Sequence, residues 1–186
     1  MNANTFWKNI IAIIFVSNST VITAQEYMIG ADLSFAKEAE ENGFVFKEDN
    51  NPKKVVQIFK GHGYNWVRLQ LFHTPSLIKY IVPNNLEYTI NFAKEAKKKG
   101  YKFLLDYHYS FTWADPSKQY VSKAWEGKTQ KEAEQLVFEY TKKTLIAFRD
   151  ANVYPDMVKV GNKISNGVIW PYGKLPENWD NFAALI

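Results

Sequence analysis

Four short apolar segments recur along the chain, and a stretch with a helical apolar stripe separates each from the next. These segments are residues 28–34, 66–72, 101–107 and 157–161. They are largely apolar and alternate only weakly, which is typical of strands buried on both faces of a parallel sheet. A parallel sheet also needs helical crossovers between its strands. The sequence therefore predicts an α/β fold.

The helical segments carry recognisable start and stop residues. Asn51, followed by proline, is expected to begin the first helix, and Asn85 to cap the second. The second ends in a run of lysines followed by glycine, which favours termination there. A third helix is expected over residues 131–149, and residues 179–186 are expected to begin a fourth.

Two layouts fit this order, a doubly wound open sheet and part of a (β/α)8 barrel. No strand is followed by a dinucleotide-binding or phosphate-binding glycine motif, which disfavours a nucleotide-binding sheet. Cysteine is absent, which excludes disulfides, thiolate metal sites and thiol catalysis. The 23 basic residues are scattered among 19 acidic ones, so no nucleic-acid surface is indicated. We expect no metal, cofactor or nucleic-acid partner.

The N-terminal segment has the pattern of a secretory signal peptide. Lys8 precedes an apolar run over residues 10–16, and Ala24 is a small residue suited to cleavage. As a helix, this run would rise only about 10 Å, too little for a bilayer core of about 30 Å. The alternative is a buried N-terminal strand. We expect residues 1–24 to be removed, residues 25–186 to fold, and the protein to be exported to the periplasm or the medium without a membrane span.

Polar and aromatic side chains follow the carboxyl end of each predicted strand. They are Asp32, Ser34, His73, His108, Tyr109, Trp113, Asp115, Asn162, Asn166 and Trp170. In both layouts these strand ends form the active face. Aromatic faces beside hydrogen-bonding groups suit a sugar, whose ring has an apolar face and a rim of hydroxyls. For the loop residues Trp113 and Trp170 we favour this interpretation over core packing.

Several segments resemble the glycoside hydrolase family 53 endo-β-1,4-galactanases. They are residues 106–116 (DYHYSFTWADP), 30–34 (GADLS), 67–69 (VRL) and 154–162 (YPDMVKVGN). The resemblance implies a (β/α)8 TIM barrel, of which this chain holds about the first four βα units. It also implies hydrolysis of β-1,4-galactosidic bonds in arabinogalactan or pectic galactan with retention of configuration.

Retaining hydrolysis needs two carboxyl groups about 5–5.5 Å apart, a nucleophile and an acid/base. In the family, the acid/base Glu follows the Asn at the end of the fourth strand, but here Lys163 follows Asn162. The family's nucleophile Glu ends a seventh strand, whereas this chain stops at Ile186. An ammonium is a poor proton donor near neutral pH and repels an oxocarbenium-like transition state. We expect residues 25–186 to be the N-terminal half of a hydrolase domain that is inactive in this form.

The resemblance leaves a partial substrate-binding face around the catalytic position. It comprises Arg68, His108, Trp113, Asp115 and Trp170, with Asn162 and Lys163 at the catalytic position. Three neighbouring positions depart from the family pattern: Gln70, Phe72 and Phe111 stand where Arg, Trp and Asp are expected. For three residues of this face, a purely structural role is also open. Arg68 could pair with Asp106 or Asp32, His108 could bond within its loop, and Asp115 could begin a turn.

Three functions are open at this point. The first is family-level endo-β-1,4-galactanase activity, and the second is non-catalytic binding of β-1,4-galactan by the same loops. The third is a truncated product without activity. In each of the first two the expected partner is a polysaccharide. Unpaired sheet edges in an incomplete barrel also predict self-association.

Overall fold

The computed structural model describes residues 27–75 and 84–186. The predicted signal peptide and its cleavage after Ala24 lie outside the described residues. Among the helices of the described part, none combines the length and the apolar character that crossing a membrane requires.

Thirteen strands and helices follow one another along the described chain. They are β1 (Gly30–Asp32), α1 (Ala36–Glu41), β2 (Lys47–Glu48), β3 (Asn51–Pro52), α2 (Val55–Gly61), β4 (Trp66–Leu71), α3 (Leu86–Lys98), β5 (Lys102–Tyr107), α4 (Gln130–Asp150), β6 (Met157–Lys159), β7 (Gly167–Val168), β8 (Gly173–Lys174) and α5 (Trp179–Leu185). Short 3-10 turns lie at Lys123–Trp125 and Ile164–Asn166.

The strands β1, β4, β5 and β6 form a parallel sheet in that order. Each strand lies beside the next one of the sheet along the chain, and helices connect them. A doubly wound sheet reverses its strand order at a switch point, whereas a (β/α)8 barrel does not. The predicted α/β fold with four βα units of a barrel is therefore confirmed, and the doubly wound alternative is wrong.

The core lies between the sheet and the helices that cover it. The central strands contribute Val67, Leu69, Leu71, Phe103, Leu105 and Tyr107, and the helices contribute Phe92, Ala93, Ala96, Val137 and Phe148. Because side chains alternate across a strand, the residues between these core positions lie on the other face of the sheet. That face carries the polar side chains discussed below.

Helix α3 begins as predicted. The side chain of Asn85 accepts a hydrogen bond from the N–H of Tyr88 at 2.9 Å, which satisfies a free donor of the first turn. Helix α4 begins with a capping box, in which Thr129 and Glu132 bond to each other's backbone N–H. This places its start at Gln130, one residue before the predicted bound.

The predicted helix start at Asn51 is wrong. Asn51 lies in β3, where it pairs with Glu48 of β2, and helix α2 starts only at Val55. The turn between the two strands places Asp49 and Asn50 at φ 49° and 64°. Asp and Asn tolerate this left-handed conformation better than other residues with side chains, so the local sequence favours a tight hairpin there.

Candidate functional site

The polar face of the sheet follows directly from strand register. Asp32 of β1 lies beside Arg68 of β4, while Gln70 of β4 lies beside Asp106 of β5. Asp106 in turn lies beside Lys159 of β6. Since residues paired across parallel strands point to the same side, these five side chains share the face opposite the helices. All are close to the carboxyl ends of their strands, where barrel enzymes hold their active sites.

Arg68 is the centre of this arrangement. Its Nε donates to Oδ2 of Asp106 at 2.8 Å, and its Nη2 donates to the same oxygen. Nη2 also donates to Oδ1 of Asn162 at 2.8 Å, and Nη1 lies 3.2 Å from Oδ2 of Asp32. The Asp106 side chain is fully buried, whereas Arg68 keeps 29% of its side chain exposed. The guanidinium therefore pairs with both aspartates, while part of the Arg68 side chain reaches solvent.

Both polar atoms of the Asn162 side-chain amide are hydrogen-bonded. Its Oδ1 accepts from Arg68 and from Nζ of Lys159, the latter at 2.9 Å. Its Nδ2 donates to the carbonyl of Ala114 at 2.7 Å. A flipped amide would turn its N–H groups towards two cations, so these contacts allow only one orientation. Lys159 also lies 3.6 Å from Oδ1 of Asp106, which links β6 to the buried carboxylate.

The bonding of His108 determines its tautomer. Nδ1 accepts from the N–H of Ala114 at 3.1 Å, so the proton of the neutral ring is on Nε2. Nε2 is buried and has no hydrogen-bond partner in the described part of the chain. It lies 3.8 Å from Oδ2 of Asp106, beyond hydrogen-bond distance. The hydrogen bond within its loop, foreseen as one role of His108, is present.

Burial is the main cause of a strongly lowered pKa at His108. Together with the positive charges of Arg68, Lys159 and Lys163, it moves the pKa from 6.5 to about 3. The ring is therefore neutral at physiological pH and forms no ion pair with Asp106. Burial also raises the pKa of the Asp106 carboxyl, and Arg68 opposes that rise.

Trp113 supplies an apolar surface beside the polar cluster. Its ring centroid lies 5.0 Å from that of Phe35, 5.8 Å from Phe72 and 5.9 Å from His108. The side chain remains exposed even though these rings support it. A supported, exposed indole next to hydrogen-bonding groups is the pattern that suits a sugar ring.

Asp115 begins a turn, as its structural interpretation foresaw. Its Oδ1 accepts from the backbone N–H and the hydroxyl of Ser117, at 2.8 and 2.6 Å. Nζ of Lys118 lies 3.3 Å from Oδ2. The hydrogen bonds from Ser117 are the main reason that the pKa of Asp115 falls to about 2. Its side chain is engaged in this turn and does not bond to Arg68.

The side chain of Trp170 makes its contacts within its own segment, while its backbone N–H donates to the carbonyl of Gln119 at 2.7 Å. Its Nε1 donates to the carbonyl of Asn166 at 3.0 Å, and Nζ of Lys174 lies 5.6 Å above its ring. Within the described residues, no hydrogen bond or ring contact joins Trp170 to Arg68 or Trp113. The structure therefore brings Arg68, His108, Trp113 and Asn162 together but leaves Asp115 and Trp170 outside their contact network.

Lys163 follows Asn162 with a left-handed backbone, φ 51° and ψ 50°. Its side chain is exposed, and no carboxylate of the described chain lies within ion-pair distance of its ammonium. At this position the resemblance implies the acid/base Glu. The residue can therefore supply a positive charge to the site but no carboxyl group.

Two participants were not foreseen from the sequence. Gln119 donates through Nε2 to the carbonyls of Asn162 at 2.8 Å and Lys163 at 3.3 Å, so it ties the loop after β5 to the segment after β6. Lys159 contacts both Asn162 and Asp106. Its signal was its place on the last predicted strand, three residues before Asn162. Gln119 gave no such signal.

In the described part of the chain, no cluster of His, Asp and Glu is arranged to hold a metal ion.

Comparison with known proteins gives consistent matches. A family model described as glycosyl hydrolase family 53 matches residues 28–186. The arabinogalactan endo-beta-1,4-galactanase of Cellvibrio japonicus is 33% identical over 175 residues, which cover 92% of this chain and 46% of that protein. The enzyme of the same name from Humicola insolens is 35% identical over 158 residues, covering 84% of this chain and 46% of the relative.

A solved structure gives the same picture. The Ignisphaera aggregans GH53 catalytic domain superposes with a TM-score of 0.80 at 34% identity. The match covers 90% of this chain and 48% of that one. The chain thus spans about half the length of the curated relatives and the solved structure that it matches.

The neutral state of His108 predicts how stability depends on pH. An unfolded histidine gains its proton near pH 6.5, whereas the folded ring resists protonation until pH is near 3. The contribution of the neutral His108 ring to the stability of the fold is therefore fully present above pH 6.5. This contribution is lost as the pH falls below 6.5. When the pH is lowered from 6.5 to 5, the free energy of unfolding measured in urea should fall by about 1.5 kcal/mol more for the wild type than for His108→Asn.

Asparagine suits this comparison because its side-chain oxygen can still accept from Ala114, while the titrating ring is gone. His73, whose pKa burial also lowers, to about 4, is present in both proteins and cancels. Parallel stability curves for the two proteins over this pH range would contradict a buried neutral His108.

Proposed function

Because the chain belongs to glycosyl hydrolase family 53, we propose that it is part of a retaining endo-β-1,4-galactanase that acts on arabinogalactan or pectic galactan. The observation that carries the proposal is the cluster of Arg68, Asp106 and Asn162 at the carboxyl ends of the strands, beside the exposed Trp113. Relatives that match most of the chain bear the name arabinogalactan endo-beta-1,4-galactanase.

The proposed task of the described residues is to bind sugar. Trp113 offers its indole face to a pyranose ring, and Arg68 keeps part of its side chain accessible to the sugar. Asn162 and His108 are buried beside these two side chains, in orientations set by the backbone around Ala114. Groups held in place before binding lose little entropy when the ligand arrives, which favours affinity.

We also propose that this chain binds galactan without hydrolysing it. Lys163 cannot act as the carboxylic acid that protonates the leaving oxygen. Asp32 and Asp106 are both paired with Arg68, so neither is a free nucleophile at the site. This observation favours non-catalytic binding as the second candidate function for the chain in this form.

Galactan binding and turnover can be measured on the same protein. In affinity electrophoresis, β-1,4-galactan in the gel should retard the 186-residue chain, while reducing-sugar assays should detect no cleavage. Trp113→Ala should remove most of the retardation. Trp179→Ala is the matched control, because Trp179 is exposed on α5 and its ring contacts that of Phe182; this variant should leave the retardation unchanged.

Replacing Lys163 by glutamate tests whether residue 163 occupies the acid/base position. Lys163→Glu alone should stay inactive, but the same variant fused to the C-terminal half of the Cellvibrio relative should cleave galactan. The matching fusion that keeps Lys163 should be slower by about 10²–10⁴-fold, the usual contribution of a general acid. Equal activity of the two fusions would overturn the assignment of Lys163 to the acid/base position. In the electrophoresis experiment, a chain that galactan does not retard would overturn the sugar-binding role.

We further propose that the chain is exported, with residues 1–24 acting as a signal peptide. The support is the order of Lys8, the apolar run 10–16 and Ala24. Material secreted to the periplasm or the medium should begin at Gln25 when its N-terminus is sequenced. Exported protein that still begins at Met1 would contradict this. Self-association through open sheet edges likewise stays a prediction.

A further inference from the structure

The charges at the strand ends do not balance. Arg68 lies 3.2 Å from a carboxylate oxygen of Asp32 and donates twice to Asp106. Lys159 lies 3.6 Å from the other oxygen of Asp106. The two carboxylates are thus already matched by two cations. Lys163 adds a third positive charge, for which the described residues offer no carboxylate partner.

The unmatched ammonium lies on an anchored backbone. Gln119 donates to the carbonyls of both Asn162 and Lys163, at 2.8 and 3.3 Å, so the position of Lys163 relative to the cluster is set. Lys163 is exposed, and a lysine carries its ammonium on a flexible four-carbon stem. Arg68 and Lys159 are also partly exposed, at 29% and 40% of their side chains, so the accessible charge of this surface is positive.

A second observation places the three cationic residues around one side chain. Oδ1 of Asn162 accepts from Arg68 at 2.8 Å and from Lys159 at 2.9 Å, and Lys163 is the next residue along the chain. Nδ2 of Asn162 donates to the carbonyl of Ala114, which directly follows Trp113. The cationic residues therefore meet next to the indole on which the sugar ring is proposed to stack.

We propose that this site selects galactosides that carry a carboxylate at C6, that is, uronic acids, with the Lys163 ammonium as the partner of that carboxylate. The inference rests on the proposed function, since it assumes that the site binds a galactose ring. Oxidation of C6 leaves every ring hydroxyl of galactose in place and adds one negative charge. The acidic sugar therefore keeps the contacts of the neutral one and gains an ion pair.

A matched pair of ligands tests this inference. β-1,4-Galactotetraose and the same tetraose oxidised at C6 to the uronate are titrated into the 186-residue chain by calorimetry at low salt. The oxidised ligand should bind about fivefold more tightly, the gain expected of one exposed ion pair. This ratio should shrink in 0.3 M salt because screening weakens the interaction of exposed charges.

Charge variants at one position make the test specific. Lys163→Gln should bring the ratio of the two affinities to about one, and Lys163→Glu should reverse it. Lys131→Gln removes the same charge from an exposed position on α4 and should leave the ratio unchanged. Binding of the neutral tetraose should be similar in the wild type and Lys131→Gln.

The outcomes separate the inference from the function on which it rests. If the neutral tetraose binds but the oxidised one binds no more tightly, selection of acidic sugars is overturned and the proposed function stands. A preference that persists in Lys163→Gln also overturns the role of this lysine. If neither tetraose binds, the sugar-binding function itself fails.

Discussion

A single guanidinium connects the carboxyl ends of the parallel strands. Arg68 on β4 contacts Asp32 on β1, Asp106 on β5 and Asn162 after β6. Asp106 is fully enclosed, and an uncompensated buried carboxylate costs several kcal/mol, so the fold around it depends on this contact. The same bonds orient Asn162 and shape the surface beside Trp113. Stability and the candidate site therefore rest on one side chain.

How far the sequence predicts this structure depends on how local each signal is. Apolar runs identified the four strands of the sheet, and the cap at Asn85 followed from one side chain. Asn51 misled because asparagine before proline suits both a helix start and a hairpin, and pairing with Glu48 decides between them. Arg68 was foreseen as a partner of Asp106 or Asp32. Gln119 instead bonds to the backbone carbonyl of Asn162, which is 43 residues further along the chain. No local sequence pattern encodes a contact over such a separation.

The identity of residue 163 is the basis for proposing that this chain binds sugar without hydrolysing it. The groups proposed to contact sugar come from β4 and from the loop after β5, and the bonds that hold them do not involve the Lys163 side chain. A cation at this position therefore leaves the binding surface intact but opposes the charge that develops in glycoside cleavage. The positive surface that results is the basis for the proposed preference for acidic sugars.

The dependence of the fold on Arg68 is tested most directly by a double-mutant cycle with Asp106. Unfolding by urea is measured for Arg68→Met, Asp106→Asn and the double variant. Each single change should cost about 3 kcal/mol, and the double should cost little more than either, which gives a coupling energy of about 3 kcal/mol. Costs that simply add, with a coupling energy near zero, would contradict the claim that this ion pair organises the carboxyl end of the sheet.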